Sequence, residues 1–384
     1  MNYENLKSAF KNLSHPLLFV DHQALNSNIQ WVLNQTQNKT IRLATKSIRS
    51  VAVLQKILAA SPRFQGLMTY TLEESLWLSQ LGFKDILIGY PTVDIPSLEL
   101  LAKNPQDITL MVDRTEHLDM LEALAKRHNS QYSICIDLDL AMDLPGVKFG
   151  VYRSSIQTEE TLLAFLQHLK KCKHLKLNAV MGYEAQIAGV GDKNSFLIRF
   201  LKKLSLKQLK KRRKNLVSLI KSQGFDVTVI NGGGTGSLHE TSLEDVVTEV
   251  TAGSAFYAPV LFDQYSDFTL KPAMGFTLPV VRQPSENIVT VLGGGYIASG
   301  ATELIKTPQP FLPEGLSLIK NEGAGEVQTP ILNRSKTQLQ LGDFVVMRHA
   351  KAGEVCERFT EILILENGQI SKIKTYRGEG KCFL

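Results

Sequence analysis

Eight short apolar runs, most followed by a stretch of helical periodicity, constrain this chain more than any other feature. They are Ile41–Ser47, Gly66–Tyr70, Asp85–Tyr90, Ile108–Val112, Tyr132–Leu138, Leu175–Met181, Val227–Ile230 and Val246–Thr251. Helical segments are expected at Val51–Ala60, Leu72–Leu81, Ile95–Ala102, Glu116–Arg127, Glu159–Lys171 and Phe196–Gln223. Only Ser237–Asp245 separates the last two runs, so the helix there is short or missing. Strands alternating with helices at this spacing pair in parallel, and eight of them over about 220 residues fit a (β/α)8 TIM barrel in an α/β chain. After about Ala258 the texture changes. Phe268–Val281, Ile288–Leu292, Phe344–Met347, Glu361–Leu365 and Ile370–Tyr376 read as strands between Gly, Pro and Asn turns. The expected organisation is a first domain over 1–258 and a β-rich C-terminal domain over 259–384. Leu17–Asp21 precedes the barrel strands and is expected to join the second domain, whereas Asn26–Gln35 reads as helix.

A chain of 384 residues is long for one ordinary domain and agrees with two. Its four cysteines, Cys135, Cys172, Cys356 and Cys382, form no C-x-x-C pair. That argues against a disulfide framework or structural zinc, and for a reducing compartment. The opening residues carry no long apolar run and no stretch approaches a membrane span, so a cytoplasmic protein is expected. Net charge is +6, but Lys202–Lys214 holds eight basic residues and no acidic one; subtracting eight from six leaves −2 elsewhere. Leu201, Leu204, Leu209 and Leu216 give this segment an apolar stripe. A solvated cationic helix face is the favoured reading over a nucleic-acid or membrane patch, because no aromatic residues interleave the charges.

Lys46 follows the apolar residues Ile41, Leu43 and Ala44, where the first barrel strand ends. A lysine desolvated there would have a lowered pKa and could form a Schiff base. From that stretch alone, an ordinary strand-end lysine paired with a carboxylate is the favoured reading. Two glycine-rich loops shift the balance. Asn231-Gly-Gly-Gly-Thr-Gly-Ser237 follows the seventh strand and Ala252-Gly253-Ser254 the eighth. Barrels often bind phosphate on these two loops, where glycines admit backbone N–H groups to the oxygens. No Walker lysine pattern is present, so a P-loop is not expected; the plain alternative is a pair of tight turns. The expected phosphate ligands are Gly234, Thr235, Gly236, Ser237, Gly253 and Ser254. A Schiff-base lysine with a phosphate cup implies pyridoxal 5'-phosphate (PLP).

At this point the chain resembles a known superfamily. Pro16-x-x-x-Val20-Asp21, the lysine strand, the Gly-Gly-Gly-Thr-Gly-Ser loop and the Gly-Ser pair occur in the order seen in fold-type III PLP enzymes: alanine racemase, D-threonine aldolase and D-serine dehydratase. The lysine segment of the aldolase and dehydratase branch runs roughly H-A-K-T-H-K; here it is Ala44-Thr45-Lys46-Ser47-Ile48-Arg49. The closing segments Arg348-His-Ala-Lys-Ala-Gly-Glu-Val-Cys356 and Tyr376-Arg-Gly-Glu-Gly-Lys381 also resemble bacterial proteins called amino acid deaminase/aldolase.

The resemblance implies an alanine-racemase-like architecture and further residues. Met181-Gly182-Tyr183-Glu184 is similar to the sixth-strand segment near the cofactor, so Tyr183 is a cofactor-binding candidate, with a core tyrosine the alternative. Gln186 falls where relatives often carry histidine. The fifth-strand arginine of relatives is missing from Asp137–Asp143, and only Arg153 lies nearby. The lyase branch holds a divalent metal, zinc or manganese, through a histidine and a ligand two residues on. His349 matches the first position, while Lys351 occupies the second. Cys356 is the substitute metal ligand to consider, the Lys351 ammonium another occupant of the metal's place, and a hydrogen-bonded loop histidine the plain reading of His349. Relatives also form homodimers. The resulting expectation is a PLP-dependent lyase acting on a D-β-hydroxy amino acid, by dehydration and deamination or by retro-aldol cleavage, with Lys46 and His349 catalytic. An amino-acid racemase with Tyr296 as second base, and a PLP-binding protein without turnover, are the alternatives. Neither nucleic acid nor membrane is an expected partner.

Overall fold

A computed structural model describes residues 2–144, 147–300 and 303–384. The sequence suggests one cut after residue 258. Contacts divide the chain into two compact units built from discontinuous segments: residues 1–31, 47–56 and 254–382 in one, and 32–46, 57–253 and 383–384 in the other.

The larger unit is a closed parallel barrel. Its strands, in order, are Thr40–Ala44, Phe64–Thr69, Ile86–Pro91, Ile108–Val112, Tyr132–Asp137, Leu175–Gly182, Val229–Gly232 and Glu249–Ala252. Ile41, Leu43, Leu67, Leu110, Ile134 and Val250 are almost wholly removed from solvent. Burying each such aliphatic side chain is worth about 1.5–3 kcal/mol, which is why near-continuous apolar runs take this position. Leu87, Met111, Cys135, Ala179 and Met181 form one buried cluster, with Met68 and Val229 packed against it. Four barrel helices start where a side chain accepts a backbone N–H: Thr71, Asp94, Thr158 and Ser195. Between the last two strands there is only a five-residue helix, Leu238–Ser242. The sequence did not signal the two-stranded excursion of Met142–Leu144 and Val147–Phe149 after the fifth strand.

The seam between first and eighth strands is ionic. Thr251 pairs with Arg42 and Ala252 with Leu43 in the ladder. Arg42, 1% exposed, donates from Nε to Glu249 Oε1 at 2.7 Å and from Nη2 to Glu249 Oε2 at 2.9 Å. Its Nη2 also reaches Asp85 Oδ1 at 2.9 Å, and Glu249 accepts in addition from Asn231 Nδ2 at 2.7 Å. Gly66, at φ +70°, makes room: a Cβ there would lie 2.6 Å from the Asp85 carbonyl oxygen and against the Arg42 guanidinium.

The smaller unit holds a nine-stranded sheet among the described residues. Leu17–Asp21 sits inside it, antiparallel to Met274–Ser285 and parallel to Glu361–Glu366. Strands Gln309–Leu312, Leu316–Leu318 and Gln328–Asn333, which lack clean alternation, also belong here. No helix among the described residues is long and apolar enough to cross a membrane.

Removing one partner of a buried ion pair costs far more than removing both. Arg42→Met should therefore destabilise the protein by about 3–5 kcal/mol, and Arg42→Met/Glu249→Gln should recover most of that loss. Chemical denaturation of the two variants checks this; equal losses would show that the pairing is not what matters.

Candidate active site

Barrel enzymes carry their chemistry at the C-terminal ends of the strands. Lys46 lies there, on a single 3-10 turn, Thr45–Ser47, that continues the first strand. Thr45 Oγ1 ties the turn to the second strand by donating to the Met68 carbonyl at 3.1 Å. The Lys46 side chain is exposed, not desolvated as expected. Its position at an open strand end explains this. Its Nζ donates to the Tyr90 hydroxyl at 2.5 Å. Tyr90 belongs to the third strand, Ile86–Pro91.

Arg153 joins this group from the loop after the two-stranded excursion. Its Cζ lies 5.8 Å from the Tyr90 ring centroid and 5.5 Å from that of Tyr183, distances at which a guanidinium is attracted to a ring face. Thus an arginine does reach this end of the barrel, although not from the fifth strand. Tyr183 follows the sixth strand, and burial pushes its hydroxyl up to about 12, with Arg153 pulling the other way. The Tyr183 ring also bounds the first glycine loop: a Cβ on Gly234 would lie 3.0 Å from Tyr183 Cε2 and 2.9 Å from Ala188 Cβ. Gly233 adopts φ +91°, and Ser237 N–H donates to the Gly234 carbonyl at 2.8 Å to close the turn. Gly234, Thr235, Gly236 and Ser237 therefore follow the seventh strand, and Gly253 the eighth, in the unit that carries Lys46. Ser254 is assigned to the other unit, where its hydroxyl lies 3.2 Å from that of Ser47.

Several further residues could not be assigned from sequence. Asp137 ends the fifth strand, and burial, reinforced by Asp113, pushes its carboxyl up to about 7 while Arg153 opposes the shift. Tyr90 and Asp137 have one signal in common, a polar side chain within the last two residues of a barrel strand. Gln186 is buried as a structural amide, donating to the Leu140 carbonyl at 2.8 Å and to Ser205 Oγ at 3.0 Å.

His349 lies in the other unit, at 2% exposure. Neither ring nitrogen makes a well-formed hydrogen bond among the described residues; the Met274 backbone makes only a weak contact with the ring. Burial, aided by the charge on Arg348, pushes the imidazole down to about 3. Cys356 is also buried; its thiol is pushed up to about 12 by burial, and Sγ lies 3.7 Å from the Ile48 carbonyl oxygen. Lys351 donates to Ser299 Oγ at 3.1 Å and lies 3.6 Å from Glu354. No group of three His, Cys, Asp or Glu residues suited to a metal ion occurs among the described residues. Lys351 is held by Ser299 and Cys356 faces the Ile48 carbonyl, so these residues do not converge with His349 as the donor set of a divalent cation. The barrel-end residues do fit PLP: an amine at one strand end and glycine-lined loops at two others.

Residues 20–259 match the family model described as alanine racemase, N-terminal domain. The chain belongs to this family. A 3-hydroxy-D-aspartate aldolase from Paracoccus denitrificans (strain Pd 1222) is 23% identical over 244 residues, covering 62% of this chain and 59% of that relative. Among solved structures, D-threonine aldolase from Filomicrobium marinum superposes with a TM-score of 0.81 at 15% identity, over 97% of this chain and 96% of that one. D-threo-3-hydroxyaspartate dehydratase from Delftia sp. HT23 gives 0.78 at 17%, over 95% and 98%. An alanine racemase from Clostridium difficile 630 in complex with cycloserine gives 0.69 at 17%, over 95% and 99%. Family and fold together place the chain among the fold-type III PLP enzymes, with the barrel and the mostly β unit of the alanine-racemase-like architecture.

The Asp137 carboxyl gives a pH signature. Its folded-state value, about 7, lies above the ordinary 3.8, so the folded protein binds this proton more tightly than the unfolded chain. The resulting stability is fully present below the unfolded value and is lost as pH rises through about 7. Asp137→Asn should flatten the fall in stability between these limits. Thermal unfolding at a series of pH values measures it, and an unchanged slope would assign the dependence elsewhere.

Proposed function

We propose that the protein is a PLP-dependent lyase acting on a D-β-hydroxy amino acid. The observation that carries this is the placement of Lys46 and the two glycine loops on strand ends of one barrel, with the first and eighth strands hydrogen-bonded neighbours. The names of the aldolase and dehydratase relatives support the substrate class.

When bound, PLP supplies an electron sink for negative charge developing at the substrate α-carbon. Lys46 is the residue that would hold the cofactor and, once released from it, move the α-proton. The Tyr90 hydroxyl, 2.5 Å from Lys46 Nζ, orients that amine. Backbone N–H groups of Gly234, Thr235, Gly236 and Gly253 and the hydroxyls of Ser237 and Ser254 would bind the phosphate. Arg153 and Tyr183 would flank the ring. For the β-hydroxyl the candidate is His349. In retro-aldol cleavage it would take the β-hydroxyl proton, whereas in dehydration Lys46 takes the α-proton. No metal step is included, because the residues around His349 do not supply a ligand set.

Racemisation needs a proton-transfer group on each face of the α-carbon. Tyr296 is a poor second base: it packs on Phe276 at 5.1 Å and Phe359 at 5.9 Å, and burial raises its pKa. A homodimer is part of the proposal. Phe196, Leu197, Phe200 and Leu204, exposed on the first turns of the helix Phe196–Ser222, support it.

Purified protein loaded with PLP should, after borohydride reduction, carry the label on the Lys46 peptide; a label on another lysine removes the reading. Incubation with D-serine, D-threonine, D-3-hydroxyaspartate and D-alanine, with and without chelator, then separates the outcomes. Keto acid with ammonia means dehydration, and glycine with an aldehyde means retro-aldol cleavage. L-alanine from D-alanine as the only product would overturn the lyase reading, as would no turnover at all. His349→Ala should lower β-chemistry at least tenfold while leaving the Lys46 label in place. Light scattering at assay concentration should give twice the chain mass, and an active monomer would overturn the dimer.

A further inference from the structure

The buried face of the long basic helix carries an ion-pair cluster behind the first glycine loop. Arg213 is 1% exposed and Glu184 is 0% exposed. Arg213 Nη2 donates to Glu184 Oε1 and, at 3.0 Å, to the Gly182 carbonyl, while Nη1 donates to Glu244 Oε1. Glu184 then holds the loop. Its Oε2 accepts from the Gly233 N–H at 2.8 Å and from Ser237 Oγ at 3.4 Å, and its Oε1 accepts from Thr241 Oγ1 at 2.9 Å. The fit leaves no spare room: a Cβ on Gly232 would lie 3.0 Å from Glu184 Oε1 and 3.1 Å from Arg213 Nη2.

A buried ion pair is a weak stabiliser, because desolvation consumes most of the attraction. This one grips two points of a short glycine-rich loop, Gly233 and Ser237, and a third, Thr241, on the helix that follows. We infer that Arg213 and Glu184 are positioning residues, holding the Gly233–Ser237 loop in the shape that receives an anionic phosphate ester. The inference rests on the phosphate-cup reading above and deepens it. Arg213 has a second effect. Carboxylates behind an anion site repel the ligand, and the guanidinium offsets part of the charge of Glu184 and Glu244. This gives one member of the Lys202–Lys214 run a function distinct from that of its exposed lysines.

The test compares two ligands that differ only in the phosphate, PLP and pyridoxal, by equilibrium binding to the full chain. Arg213→Met/Glu184→Gln removes both charges together, so net charge is conserved; it also takes the guanidinium from Glu244, whose carboxyl burial already raises and which is left to take up a proton. Its affinity for PLP should fall about tenfold to a hundredfold, the equivalent of a lost charge-assisted hydrogen bond, while pyridoxal affinity stays within about twofold. Arg213→Lys, which keeps the charge but not the fork, should give a smaller loss with the same selectivity for PLP. It carries the test if the double variant does not fold, as judged by circular dichroism. Unchanged PLP affinity in a folded variant would overturn the inference, and so would equal losses for both ligands, which mark a merely structural role. Gly236→Val separates this from the cup reading. If it abolishes the preference for PLP over pyridoxal but the Arg213 and Glu184 variants do not, the cup stands and the positioning role falls. If Gly236→Val leaves that preference intact, both fall.

Discussion

The barrel depends on how its first and eighth strands meet. A parallel barrel needs every strand to find two neighbours, and the last pairing closes the longest loop in the chain. Here that pairing is marked by a buried charge pair, Arg42 with Glu249, 207 residues apart in sequence. An ion pair inside a barrel adds little net stability, but it penalises a slipped register, because a shift would bury each charge without its partner. The register so defined sets Ala252 opposite Leu43. The residues that follow, Gly253 on one strand and Lys46 on the other, are thereby brought to adjacent strand ends.

Charge is used differently at the two ends of this barrel. Arg42 reaches Asp85, just before the third strand, and its guanidinium is wholly engaged with oxygen acceptors. At the opposite end Arg153 lies against two tyrosine rings, and Lys46 against a hydroxyl. A cation beside rings and hydroxyls is less completely neutralised than one enclosed by carboxylates. The same contrast separates Arg213, enclosed by carboxylates behind the loop, from the lysines on the outer face of its helix. Local environment, more than residue type, divides the basic residues into framework and site.

The other unit illustrates why motif spacing alone does not make a metal centre. Burial lowers the pKa of His349, and its ring makes only a weak contact with the Met274 backbone, which suits a ligand before binding. Coordination needs several donors converging on one point. The sequence neighbours of His349 point elsewhere: Arg348 to Asp263 at 2.7 Å, Lys351 to Ser299, and Cys356 towards Ile48.

What the sequence determined by itself was local in origin. Near-continuous apolar runs, helical periodicities and glycine clusters depend on residues a few positions apart, so the eight barrel strands, the glycine loops and Lys46 at a strand end were legible. Strand Leu17–Asp21 was legible for the same reason, and its place outside the barrel followed from chain order. The short strands Gln309–Leu312, Leu316–Leu318 and Gln328–Asn333 were not, because they carry little alternation and exist through pairing with partners. Tertiary structure alone decided that Lys46 meets Tyr90 while remaining exposed, that Arg153 reaches the site from an irregular loop, and that Arg213 lies behind the phosphate loop. Those contacts, together with the Arg42–Glu249 pair, join residues 29 to 207 positions apart. No local periodicity encodes such separations; barrel closure creates them by bringing distant strand ends to one rim.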